Sequence, residues 1–257
     1  ASFYDFTANK NPILTIFDSG GTDTLNFSGW NSNSTINLEP GVYSSCNYMT
    51  NNIVLAYSCV IENAIGGKGN DVLTGNSSDN RLEGGDGKDQ LNGGTGNDTL
   101  VGCSGADTLP GGLGSDIFLF AAAGDSTLTA MDVVSDLEGS DQIKFNGMAG
   151  IGLYDGKYSY AGSVSSTVGA IQNNGIVSNR VFFFSDVTDG YLYIKGAGTG
   201  VTFDGTLLKL AGKTSATVLA QLSGVRANAI PTGGVTIDGT ATQGQTLSAS
   251  NTLADAD

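Results

Sequence analysis

The sequence predicts an all-β fold organised around a parallel β-roll. Three observations predict it: an uninterrupted nine-residue repeat, an excess of glycine, and short apolar alternations beyond the repeat. Glycine supplies 39 of the 257 residues, about twice the usual share. The repeat runs from Gly66 to Leu119 as GGKGNDVLT, GNSSDNRLE, GGDGKDQLN, GGTGNDTLV, GCSGADTLP and GGLGSDIFL. Its sixth position reads Asp71, Asn80, Asp89, Asp98, Asp107 and Asp116, and its eighth reads Leu73, Leu82, Leu91, Leu100, Leu109 and Phe118.

Each GGxGx opening is a tight turn, because glycine permits positive φ and close backbone approach. The residues after it form a short strand in which only the eighth position is consistently large and apolar, so that side chain points inward. Two nonads make one coil, and stacked coils form the roll. Residues eighteen apart then lie one above another at roughly 4.8 Å, the spacing between strands. Asp71, Asp89 and Asp107 line one edge, and Asn80, Asp98 and Asp116 the other. Carboxylates stacked this closely repel by about 1 kcal/mol per pair even in water. A divalent cation that prefers oxygen relieves that repulsion and uses the turn carbonyls as further ligands. Calcium suits the pattern better than magnesium, which demands stricter geometry, and better than zinc, which prefers imidazole or thiolate. A flexible Gly/Asp linker has no reason to keep Leu at position eight in register with Asp at position six. The nonapeptide is identified as the calcium-binding repeat of RTX proteins. Asn80, Cys103 in place of a turn glycine, and Pro110 at a strand end depart from the pattern.

Charge and composition exclude several functions. Lys and Arg number 11 against 25 Asp and Glu, for a net charge of −14. Nucleic acid is therefore not an expected partner. With no histidine, a His-bearing zinc centre and Ser-His-Asp or Cys-His catalysis are ruled out within this chain. The longest apolar runs, Ile53–Tyr57 and Ile117–Ala123, are too short to span a bilayer. Three cysteines, Cys46, Cys59 and Cys103, fit neither a disulfide scaffold nor a metal-binding CxxC; a Cys46–Cys59 bridge stays open for a secreted chain.

The flanks carry a broader resemblance. The segments Ile13–Trp30, Ile36–Ser45 and Asn52–Asn76 resemble the C-terminal domain of serralysin-type secreted zinc metalloproteases, with likeness from about Phe3 to Phe145. The resemblance implies a small β-sandwich packed on a calcium-loaded roll. It implies an upstream calcium site from Asp18, Gly20, Gly21, Asp23, the Val60 carbonyl and Glu62. In the roll it implies ions at Gly67, Gly69 and Asp71 with Gly84, Asp86 and Asp89, and at Asn76, Ser78 and Asn80 with Gly93, Thr95 and Asp98. Two more are implied at Gly85, Gly87 and Asp89 with Gly102, Ser104 and Asp107, and at Gly94, Gly96 and Asp98 with Gly111, Leu113 and Asp116. Asp125 and Asp132 match acidic residues that close the far end. The family's catalytic zinc sits on an HExxH helix of a preceding domain, which this chain does not contain.

After Phe145, Val181–Gly212 reads as hairpins, and Ser215–Leu222 as a short helix. Asp186, Asp189 and Asp204 read as solvated turn acids, with cation binding as the alternative; Tyr191 and Tyr193 read as cross-strand core packing, with a sugar platform as the alternative. From Asn228 onward the chain resembles the first strands of bacterial Ig-like modules. The expected organisation is 1–65 as the N-terminal sandwich part, 66–125 as the roll, 126–227 as a β-rich closing segment and 228–257 as a partial Ig-like module or linker. No initiating Met and a partial module suggest a fragment of a longer polypeptide. The expected function is calcium-dependent folding after type I secretion, with calcium, the secretion machinery and a catalytic domain or Ig-like modules of the same polypeptide as partners. A calcium-stiffened adhesive segment of a surface protein is the alternative. The expected location is extracellular or at the cell surface.

Overall fold

A computed structural model describes residues 2–6, 12–122, 124–145, 152–153, 161–173, 180–194, 205–213, 222–223, 235–238 and 248–251. Two large sheets carry the chain. One is eight-stranded and wholly parallel, in the order Phe3–Asp5, Thr24–Asn26, Asn63–Ile65, Arg81–Gly87, Thr99–Gly105, Ile117–Phe120, Gln142–Phe145 and Leu222–Ser223. The other holds Thr35–Asn37, Val72–Thr74, Gln90–Asn92, Thr108–Leu109, Asp132–Val134 and Thr206–Leu210 in parallel, then Gly190–Ile194 and Arg180–Ser185 antiparallel, with Gly152–Leu153 at its edge.

Within the nonads the register is eighteen residues. Arg81, Thr99 and Ile117 align on one sheet, and Val72, Gln90 and Thr108 on the other. Successive nonads therefore alternate between the sheets, as a two-strand coil requires. All six eighth-position side chains are fully buried, and they share one core with Leu25, Ile36, Val134 and Ile143 from the flanks. The N-terminal strands continue the two sheets of the roll. A third sheet, Leu14–Ile16, Ile53–Leu55 and Tyr43–Ser44, adds Ile16, Ile53 and Leu55 to the same core.

The expected hairpins are present, and their residues are buried on both faces. Val181 and Phe183 join the main core, while Phe182 and Phe184 pack with Tyr193 and Tyr191 into a second one. Tyr191 and Tyr193 are thus core residues, 5% and 0% exposed. The second core is covered by a helix, Val164–Asn173, whose Val168 and Ile171 face the hairpin. Ser163 caps it by accepting the Ser166 N–H at its hydroxyl. The helix expected over Ser215–Leu222 lies outside the described residues except for Leu222, which opens a strand. Of the Ig-like resemblance, only the antiparallel pair Val235–Asp238 and Ser248–Asn251 is described. Cys46, Cys59 and Cys103 are all free thiols.

Candidate metal centre

Because the coils stack at strand spacing, each sixth-position side chain meets the backbone of the coil before it. Along one edge the N–H of Ser34 donates to Asp71, that of Asp71 to Asp89 at 2.8 Å, that of Asp89 to Asp107 at 2.8 Å and that of Asp107 to Asp132 at 2.9 Å. Along the other, Asn80 donates to Asp98 at 2.7 Å, Asp98 to Asp116 at 2.9 Å and Asp116 to Asp141 at 3.0 Å. Each bond uses Oδ1 of the acceptor. The stacked residues of all four roll sets are therefore in contact: Asp71 with Asp89, Asn80 with Asp98, Asp89 with Asp107, and Asp98 with Asp116.

The second oxygen is the informative one. Oδ2 of Asp89, Asp98, Asp107, Asp116 and Asp132 is buried without a hydrogen-bond partner. A buried carboxylate oxygen facing no donor is strongly disfavoured. Burial accordingly pushes the carboxyl of Asp89 up to about 7, those of Asp98 and Asp107 to about 6, and that of Asp132 to about 9, with the backbone N–H bonds opposing the rise. Stacked neighbours add to it: Asp107 and Asp71 both raise Asp89. Asp71 and Asp116 are raised by the same burial. The donor set contains oxygen and neither imidazole nor thiolate, which fits a hard divalent cation. Among the described residues no three acidic or thiol side chains gather at one point, so a cation here draws further oxygens from the turn backbone.

The turns are built for that approach. Gly85, Gly94, Cys103 and Gly112 at position two, and Gly87, Gly96, Gly105 and Gly114 at position four, all have positive φ. Asn76 and Ser78 hold the same positions in the second nonad, where φ is not positive, so a side chain is accepted there. At position one the constraint is the site itself: a Cβ on Gly84, Gly93, Gly102 or Gly111 would land on the Oδ2 of its own nonad's aspartate. The turn backbones also pair directly, with the Asp86 N–H donating to the Gly67 carbonyl at 2.9 Å and the Thr95 N–H to the Asn76 carbonyl at 3.3 Å. Ser104 stands in register with Asp86, and Leu113 with Thr95, its side chain 74% exposed. Gly69 lies beneath Gly87, whose Cβ would strike the Gly69 carbonyl.

Asn80 satisfies itself differently. Its amide accepts the Asn76 N–H and donates to the Glu62 carbonyl at 3.0 Å. Upstream, Glu62 accepts the Asp23 N–H at 2.7 Å, and Asp18 accepts the Gly20 N–H at 2.9 Å and the Tyr4 hydroxyl at 2.6 Å. Gly20 and Gly21 have positive φ, and Val60 is exposed. Asp18, Asp23 and Glu62 together press on the Cys59 thiol, which burial first and their charges next push up. At the far end Asp132 caps one column, whereas Asp125 is turned to a local task, accepting the N–H groups of Ala121 and Ala122 at 2.7 and 2.8 Å. Asp186 accepts the N–H groups of Thr188 and Asp189, and Asp189 pairs with Lys209 at 2.7 Å, so both serve their hairpin. Asp204 lies outside the described residues.

The family described as Peptidase M10 serralysin C terminal matches residues 2–175. The chain belongs to that serralysin C-terminal family. It is 55% identical over 137 residues to the serralysin of Proteus mirabilis, covering 53% of this chain and 28% of that protein. It is 42% identical over 181 residues to a metallopeptidase of Pseudomonas marginalis, covering 68% of this chain and 36% of that protein. This chain thus spans about a third or less of the length of these curated relatives. The solution structure of a subunit of the Azotobacter vinelandii mannuronan C5-epimerase overlaps 69% of this chain and 90% of its own at 28% identity, with a TM-score of 0.42.

In this serralysin C-terminal fold three elements of the columns escape the nonad pattern. Asp141 ends the second column, and Asp136 accepts the N–H groups of Gly111 and Gly112 at 2.8 and 3.0 Å. The signal for Asp141 was present: Asp132 and Asp141 are nine apart, each followed two positions later by a fully buried apolar residue, Val134 or Ile143. Seven extra residues after the sixth nonad shift the phase and hide it. A second, exposed ladder runs through position five, where Asn70 accepts the Lys88 N–H, Asp79 that of Asn97, and Asn97 that of Ser115.

Proposed function

We propose that this chain is a calcium-dependent folding module of a longer secreted protein of the serralysin type, and that it performs no catalysis itself. The observation that carries the reading is the two columns of buried carboxylates, each with an oxygen directed at no donor. Asp71, Asp89, Asp107 and Asp132 on one edge, and Asn80, Asp98, Asp116 and Asp141 on the other, would hold the ions with the carbonyls of Gly67, Gly69, Gly85, Gly87, Gly94 and Gly96. A site from Asp18, Asp23, Glu62 and the Val60 carbonyl would add one more, and Asp125 would lend charge at the far end. Bound calcium supplies the positive charge that lets the stacked carboxylates stay ionised and buried.

Where calcium is scarce, the aspartates repel one another and lose hydration on folding, which keeps the chain open for one-step, type I export. Extracellular calcium modules bind at about 10⁻⁴–10⁻³ M, so folding is confined to the outside. Far-UV circular dichroism of the chain in chelator and in millimolar calcium tests this, with equal magnesium as control. A coil-like spectrum that becomes β on adding calcium is expected. An identical folded spectrum at neutral pH in all three would overturn the reading.

A further inference from the structure

The three-stranded sheet of Leu14–Ile16, Ile53–Leu55 and Tyr43–Ser44 is apolar on both faces. Ile16, Ile53 and Leu55 point into the core, 1–2% exposed. On the other face Thr15, Val54 and Tyr43 stand side by side across the strands. With Phe17, Ala56 and Tyr57 they line an open groove of ≈ 570 Å³. Phe17 is 75% exposed, Tyr43 54% and Tyr57 90%. The Tyr57 ring lies against Gly41, where φ is +82° and any Cβ would collide with it, so this aromatic wall is held in place by the backbone beneath. No charged side chain lines the groove, although acidic residues outnumber basic ones by 25 to 11 in the chain.

Strands that are apolar on both faces belong between two layers, and a contiguous exposed apolar patch marks a contact surface. Two facts point to the occupant. The matched relatives extend far beyond this region, which accounts for 28% and 36% of two of them. The chain's first strand is also tied to the groove's rim: the Tyr4 hydroxyl donates to Asp18 at 2.6 Å and reaches the Phe17 carbonyl at 3.4 Å. A segment preceding this chain therefore arrives beside the groove. We propose that the groove seats the domain preceding this chain in the longer protein, through a neutral apolar patch on that domain. This rests on the reading above that the chain is one part of a longer secreted protein.

Hydroxyl-radical footprinting in calcium, on the longer protein and on this chain alone, tests the docking. In the longer protein the labelling of Phe17, Tyr43 and Tyr57 is expected to fall toward that of fully buried Tyr193, while Tyr48, 90% exposed and outside the groove, keeps its rate. Equal labelling of the groove in both proteins overturns the proposal. So does protection in this chain alone that grows with concentration, because a second copy is then the occupant. Circular dichroism of the same samples separates the two readings. Calcium-induced folding with an exposed groove overturns the docking alone, whereas absence of calcium-induced folding overturns the module reading.

Discussion

Asp107→Asn is expected to shift stability in opposite directions with and without calcium. Asp107 sits between Asp89 and Asp132, accepts the Asp89 N–H at Oδ1, and buries Oδ2 without a partner. The amide oxygen of Asn can keep the Asp89 bond, so the substitution removes charge while sparing the ladder. At about 4.8 Å between strands, each neighbouring carboxylate opposes Asp107 by about 1 kcal/mol in water and about 3 to 4 kcal/mol at an effective dielectric of 20. A carboxyl raised to about 6 in the fold destabilises the metal-free state by about 3 kcal/mol at pH 7. In chelator, Asp107→Asn should recover much of that. In about 10 mM calcium, a hundredfold above a Kd of about 10⁻⁴ M, each ion contributes about 2.7 kcal/mol. Because Asp107 meets carboxylates on both sides, its loss should then weaken the loaded fold by about 3 to 5 kcal/mol. Urea unfolding followed by circular dichroism in chelator and in calcium reads both numbers. Equal destabilisation in the two conditions would refute the reasoning, because Asp107 would then be only a hydrogen-bond acceptor.

The remaining predictions concern pH, strain and the turn glycines. In chelator, carboxyls raised above their ordinary value make the folded state bind protons more tightly than the unfolded one. Stability should therefore be greatest below about pH 4 and drain away as pH rises through 6 to 7, the range of Asp98, Asp107 and Asp89, with Asp132 extending the loss toward 9; a thermal melt series across this range checks it, and calcium should flatten the slope. Cys103 holds φ at +70° where the neighbouring coils have glycine, so Cys103→Gly should raise the stability of the loaded fold by about 1 kcal/mol, read as an increased melting temperature. Gly93→Ala should abolish calcium-induced folding, because its Cβ would land on the Asp98 carboxylate and the Gly111 carbonyl. Gly124→Ala, with nothing within 4 Å, should leave folding intact.

The roll was legible in the sequence because a strict period leaves one register that buries Leu73 through Phe118 together. The two edges of stacked aspartates follow from the same period. What each carboxylate does with its two oxygens was not legible, because the Oδ1 bond to the preceding coil depends on coil spacing rather than on residue type. Asp136 and Asp141 were missed because seven inserted residues broke the phase. The helix Val164–Asn173 was missed because Val168 and Ile171 are set among Ser, Thr, Gly and Ala, a composition that reads as linker until the hairpin of Phe182 and Phe184 gives them a surface to cover. Asp189 could be assigned only once Lys209 was seen opposite it.

The hydrogen-bond columns have a direction. Every coil donates an N–H to the carboxylate of the coil after it, so the two ends of the stack are chemically unlike: the first offers a donor from Ser34 to Asp71, and the last demands the acceptors Asp132 and Asp141. Coils between the ends are interchangeable units. Adding or deleting eighteen residues preserves both ends, whereas a nine-residue change presents each column to the wrong terminator. The length of such a roll can therefore drift in whole coils, and two rolls can be joined end to end in only one orientation.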